Sequence, residues 1–89
     1  MLYDIKITKN CFVPRENIKL YVAYESNTVK NDVRKKRREN KVFDYTGGKK
    51  IRSVIYLKTG EIVIVNTLIS TLNQRMQQPE KEAGGSADD

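Results

Sequence analysis

The densest side-chain chemistry in this 89-residue chain is cationic. Lys49 and Lys50 follow the pair Gly47-Gly48, with Arg52 two residues on, so backbone freedom and concentrated positive charge coincide at one turn. A second group, Arg34, Lys35, Lys36, Arg37 and Arg38, follows Lys30 in a stretch with helical character. Ammonium and guanidinium groups gathered in this way engage anions, phosphates above all, through charge-assisted hydrogen bonds. Other chemistry is sparse. There is no histidine, hence neither the usual general base nor the usual metal ligand. The single cysteine, Cys11, beside Phe12 and Val13, reads as a small buried apolar residue. Asp4, Glu16, Glu25, Asp44 and Glu61 are scattered singly and read as local ion-pair or turn residues, not as halves of an acid–base pair. The Gly47-Gly48 pair lacks the spacing and the following helix of a phosphate-cradling nucleotide loop. The expectation is a binding protein, not an enzyme, without metal or cofactor.

Charge narrows the partner. The chain carries +6, and Glu80, Glu82, Asp88 and Asp89 against Lys81 put −3 on residues 77–89, which leaves +9 on residues 1–76. So large a charge on so short a body favours a polyanion, and nucleic acid is the commonest. An anionic membrane surface competes. However, the sequence has no amphipathic helix with a broad apolar face, no apolar run near the ~18 residues of a span, and no signal-peptide pattern. A soluble, cytoplasmic protein is expected. Its length supports one domain with a modest core, so self-association is expected for stability as well as function.

Several elements must position the two cationic groups. Leu2–Thr8 alternates, with Tyr3, Ile5 and Ile7 on the inner side, as a half-buried strand does. A turn follows at Lys9-Asn10. Phe12-Val13-Pro14 then reads as a strand end or edge, because proline supplies no donor. Ile18–Tyr24 is a second strand, with Ile18, Leu20, Val22 and Tyr24 on one face. Ser26, Asn27 and Thr28 are good caps for a helix over about 29–39, whose Val29, Asp32, Val33 and Lys36 share a shallow docking face. The cations of its last turns complement the helix dipole, which is reason enough for the run without any ligand. VFDY, IRSVIYL and EIVIV (residues 42–65), separated by TGGKK and KTGE, read as a three-stranded antiparallel meander. Asn66-Thr67 offers a cap for a short closing helix packed on the sheet, with Leu68, Ile69, Leu72 and Met76 at helical spacing and Gln74 and Arg75 outward. Residues 77–89 read as a disordered acidic tail. The five tyrosines read mainly as core or interface residues, not base-stacking platforms. The fold class is therefore α+β: a small antiparallel sheet of about five strands, one basic helix and a short C-terminal helix, all within residues 1–76.

From about Ile7 to Met76 the chain resembles the RemA/RemB family of bacterial biofilm-matrix regulators. YESNTVKNDVRKKRREN, FDYTGGKKIRSVIYL and TLISTLNQRM carry the resemblance. Asp44, Thr46, Gly48, Lys49, Lys50 and Arg52 look like RemA, while KKRRENKV and TLISTLNQR look as much like RemB, and the resemblance does not choose between them. It implies a homo-oligomeric ring of LytTR-like subunits around which promoter DNA curves, activating matrix operons from clustered upstream sites against a repressor. It also implies a nucleoid-associated protein. In that family two adjacent arginines in the glycine turn contact DNA, and they match Lys49 and Lys50. Lysine keeps the charge but loses the planar fork, so contact becomes more electrostatic and less sequence-selective. A third family arginine falls near Asn17, which carries no charge; Arg15 or Lys19 can reach the same region. The expected DNA-contacting set is thus Lys49, Lys50, Arg52, Arg15, Lys19, Arg34, Lys35, Arg37 and Arg38. Two alternatives stand beside it: a scaffold whose basic helix meets an acidic protein, and an RNA-binding protein using the same face. Cations on one continuous face favour DNA; dispersed cations favour a scaffold.

Overall fold

A computed structural model describes residues 4–77. The elements are β1 (Asp4–Thr8), β2 (Cys11–Pro14), β3 (Ile18–Ala23), α1 (Asn27–Arg38), β4 (Val42–Tyr45), β5 (Ser53–Leu57), β6 (Ile62–Val65) and α2 (Ile69–Met76), with a 3-10 turn at Arg15–Asn17. Residues 2 and 3 of the first expected strand, and the expected acidic tail beyond Gln77, lie outside the described residues. The α+β class holds, but the sheet differs from expectation. Six strands form a β1–β2 hairpin and a separate four-stranded sheet in the order β3-β5-β6-β4.

The expected meander is corrected here. β5 and β6 pair antiparallel as expected, but β4 pairs parallel with β6, Val42 opposite Ile62 and Tyr45 opposite Val65, and never touches β5 as a ladder partner. Burial supplies the reason. Ile62, Val63, Ile64 and Val65 are all buried, so β6 is apolar on both faces and takes the place with a neighbour on each edge and a layer on each side. β4, whose Phe43, Asp44 and Tyr45 are exposed, becomes an edge. The segment 46–52 is consequently an arch from β4 to β5 over the carboxyl end of β6.

Two apolar layers sandwich the sheet. On one face Ile55, Val63 and Val65 pack with Ile5, Ile7, Cys11 and Val13 of the hairpin and Leu72 of α2. On the other, Val54, Ile62 and Ile64 pack with Val33 of α1, helped by Val29, Val42 and Tyr56. Cys11 is buried as expected, and burial pushes its thiol pKa up. The inner face of α1 is the expected one: Val33 is buried, and Val29, Asp32 and Lys36 are half-buried. Docking is shallow, and Asp32 strengthens it by accepting from the Tyr56 hydroxyl at 2.8 Å. Burial first, then the Asp32 hydrogen bond and charge, push that hydroxyl up to about 12. This tie therefore holds in the neutral range and is lost as pH climbs through that value.

Both ends of α1 are closed by local chemistry. Ser26 Oγ accepts from the Val29 N–H at 3.2 Å. At the other end Asn40 adopts φ +61°, and the Asn40 and Lys41 N–H groups bond the Arg37 and Lys36 carbonyls, a Schellman motif. Ser26→Ala is expected to cost about 1 kcal/mol, read as a lower midpoint in chemical denaturation at unchanged slope.

Three further expectations change. A bulge at Lys19 shifts the register of β3, so Ile18 joins the hairpin-side core while Val22 and Tyr24 face α1. Leu68 takes the N-cap position of α2 without a side-chain cap, because Asn66 and Thr67 are used elsewhere: Asn66 Nδ2 donates to the Lys50 carbonyl and Thr67 Oγ1 to the Ile7 carbonyl. Arg75 does not point outward. Its Nη1 donates to the Lys6 and Ile7 carbonyls at 3.1 and 3.0 Å, tying α2 to β1.

Candidate nucleic-acid interface

The arch over β6 is built by its own first residues. Asp44 Oδ1 accepts from the Thr46 N–H at 3.0 Å and from the Thr46 hydroxyl at 2.7 Å, and Thr46 Oγ1 in turn accepts from the Gly48 N–H at 3.3 Å. The Lys49 N–H bonds the Thr46 carbonyl at 3.1 Å, closing a tight turn whose central residues, Gly47 and Gly48, have φ +66° and +85°. Both positive values belong to the mirror-image turn, which favours glycine. No atom lies within 4 Å of where a Cβ would stand at either position, so the requirement is conformational and not spatial.

Further bonds fix the rest of the arch to β6 and β3. The Arg52 N–H donates to the Val65 carbonyl at 2.8 Å, the Tyr24 N–H to the Arg52 carbonyl at 2.9 Å, and Asn66 Nδ2 to the Lys50 carbonyl at 2.8 Å. Main chain and small polar groups hold the shape. Among the described residues, no hydrogen bond or ion pair engages the side chains of Lys49, Lys50 or Arg52, which leaves these cations free to meet a ligand.

The arch forms one wall of an open depression of about 780 Å³. Lys49, Lys50 and Arg52 line it from the arch, and Lys30 and Arg37 from α1. Glu25 and Asp44 stand on the same surface. The Thr46 N–H and hydroxyl, then the charge of Arg37, hold the Asp44 carboxyl below the usual carboxylate range. Tyr24 forms part of the wall, with the Lys30 ammonium 5.8 Å from its ring centre, a cation–π distance. Such a surface can hold phosphate oxygens by several converging cationic donors.

Of the nine residues expected to contact DNA, four share this depression: Lys49, Lys50, Arg52 and Arg37. Arg34 is exposed on α1 and donates to Asn31 Oδ1 at 2.8 Å, while Lys35 and Arg38 are exposed on the same helix outside the depression. Arg15 and Lys19 lie at the other end of β3, where Ile18 pairs with Leu57 and the Asn17 carbonyl accepts from the Lys58 N–H. Arg15 Nη1 donates to the Met76 carbonyl at 2.6 Å and closes the end of α2. Lys30 lies outside the set expected from the sequence. Its signal is nonetheless in the chain, since Lys30 and Arg37 stand seven apart and therefore on one stripe of a helix.

The tyrosines divide. Tyr21, Tyr24 and Tyr56 pack against the cores, and the Tyr21 hydroxyl donates to Asn73 Oδ1 at 2.9 Å. Tyr45 is 43% exposed on the edge strand. Among the described residues no helix is long and apolar enough to cross a membrane. In comparison with known proteins, the family model described as RemA-like, extracellular matrix regulatory protein A-like, matches residues 5–76. No curated protein matches the chain.

Proposed function

Because the chain belongs to the RemA-like family of extracellular matrix regulatory proteins, we propose that it is a transcriptional regulator of matrix genes that binds double-stranded DNA at the glycine-lysine arch. It acts in the cytoplasm on the nucleoid, as a binder without covalent chemistry. The observation that carries the reading is the convergence of Lys49, Lys50, Arg52, Arg37 and Lys30 on one open surface of a body with net charge +9. Each subunit supplies a few phosphate contacts, and a LytTR-like ring of subunits multiplies them, so individually weak sites gain through avidity. Promoter DNA follows the ring, and selectivity rests on the deformability and phasing of sites able to curve.

Assembly has a physical basis in the sheet. β3 and β4 are its two outer strands, so each leaves one edge without a ladder partner among the described residues. A β3-to-β4 contact between copies is head-to-tail, and such contacts generate rings when the rotation closes. Phe43 and Tyr45 on β4, and Phe12 on the hairpin, which is 57% exposed, supply apolar area for it.

A scaffold reading draws on Lys35, Arg38 and Lys19, which lie outside the depression. Size determination in solution separates the two, run alone, with a long promoter fragment, and with a scrambled fragment of equal length. A ring that gains a discrete larger complex with the promoter is expected, with log K falling against log salt at a slope of roughly −5 for about five or six phosphates. A lone subunit at working concentration, or a ring indifferent to DNA, overturns the reading.

A further inference from the structure

The arch has a second side. Between it and the β1–β2 turn lies a cleft of about 320 Å³, lined by Thr8, Lys9 and Asn10 from the hairpin, Tyr45 and Lys49 from the arch side, and Asn66 beneath. Lys49 lines both this cleft and the larger depression. The two surfaces differ in charge balance. The larger depression sets Glu25 and Asp44 against its cations, whereas the described lining of the cleft holds Lys9 and Lys49 and no carboxylate.

The hairpin tip is held against the arch by a short chain of bonds. Thr67 Oγ1 and Arg75 Nη1 both donate to the Ile7 carbonyl at 3.0 Å, and the adjoining Asn66 donates to the Lys50 carbonyl at 2.8 Å. The Asn10 N–H donates to Thr8 Oγ1 at 3.1 Å and shapes the tip itself. Lys9 is therefore carried on backbone already ordered relative to Lys49, and little backbone entropy remains to be lost when both engage one ligand.

We infer that this cleft takes a backbone phosphate of the same DNA strand whose neighbouring phosphate sits in the larger depression, so the strand straddles the arch and Lys9 is a DNA-contacting residue. The inference rests on the DNA-binding reading and extends its footprint from α1, across the arch, to the hairpin. Lys49 stands on the arch between the two surfaces and lines both, so its ammonium can serve a strand that passes from one to the other. The Tyr45 ring supplies an apolar wall on which the sugar between them can rest.

The test compares Lys9→Ala, Lys9→Arg and Lys58→Ala in the full chain. Lys58 is an exposed lysine in the β5–β6 turn at the opposite end of the sheet, so it controls for loss of one charge. Affinity for a labelled duplex is measured from about 50 to about 200 mM salt. Each phosphate contact contributes about 0.9 to the slope, which is roughly a 3.5-fold change over that range. Lys9→Ala is expected to flatten the slope by about 0.9 for each subunit engaged, Lys9→Arg to keep it, and Lys58→Ala to leave it unchanged. Equal slopes for Lys9→Ala and Lys58→Ala overturn the inference. So does tight binding of inorganic phosphate without DNA that disappears in Lys9→Ala, which makes the cleft a small-anion site. The parent reading fails separately: if Lys49→Ala with Lys50→Ala leaves duplex binding intact, the arch is not the interface. If that pair weakens binding and Lys9→Ala does not, only the straddling geometry falls.

Discussion

Replacing Lys49 and Lys50 together with alanine is expected to abolish duplex binding and to leave the oligomer intact. Both side chains are exposed, and no described hydrogen bond or ion pair uses them. The shape of the arch comes instead from Asp44, Thr46, the two positive-φ glycines and main-chain bonds to Val65 and Asn66. Truncation therefore removes charge without removing structure. Every engaged subunit then meets DNA without two of its ammonium groups, and avidity compounds the deficit into a drop on the order of 100-fold or more at physiological salt. Fluorescence anisotropy on a labelled promoter reads the affinity, and light scattering on the same sample reads the assembly. Wild-type affinity in the double variant removes the arch from the interface. Loss of the oligomer along with the affinity places the lysines between subunits, not against DNA.

What the chain discloses by itself follows a physical division. Periodicity is local, so the alternation of Ile5 and Ile7 and the inner stripe Val29, Asp32, Val33 and Lys36 are legible, as is the coincidence of two glycines with two lysines. Strand pairing is a competition among all edges, and the apolar run IVIV settles it by demanding cover on both faces and neighbours on both sides. An antiparallel meander gives β6 only one neighbour, and β4 supplies the other by running parallel. The run lacks alternation, and that is the one local sign of a doubly buried strand. The bulge at Lys19 leaves no such sign. Arg15 and Arg75 are unreadable for another reason. A guanidinium on a long stem reaches backbone carbonyls many residues away, and no spacing rule anticipates which. At the site, the spacing within α1 puts Lys30 and Arg37 on one stripe of the helix, but nothing local says that this stripe faces the arch. Lys9 meets the arch only through tertiary packing.

Thr46 shapes the arch on which the proposed DNA binding rests, and Thr46→Val is expected to separate fold from binding. Thr46 is 7% exposed, and valine preserves its volume while removing a hydroxyl that donates to Asp44 and accepts from Gly48. Losing a hydrogen-bonded hydroxyl in a nearly buried place costs about 1–3 kcal/mol. Freeing even one arch residue from its single conformation returns about 1–2 kcal/mol of backbone entropy that DNA must then overcome. The expected result is a folded, assembled variant whose duplex affinity falls about tenfold for each subunit engaged, with Thr46→Ser close to wild type. Acid titration gives a second readout that loss of packing alone does not move. The Thr46 N–H and hydroxyl, aided by Arg37, hold the Asp44 pKa down, so the stabilisation it provides is present above the ordinary carboxylate value and is lost as pH falls through the lowered one. Removing the hydroxyl lets the carboxyl rise back toward its ordinary value near pH ~4. The variant then loses arch order at a higher pH than the wild type, followed as the midpoint of the Asp44 carboxyl shift in NMR. An unchanged midpoint together with unchanged affinity means that the arch keeps its shape without the clamp, and its order then rests on Arg52 and Asn66.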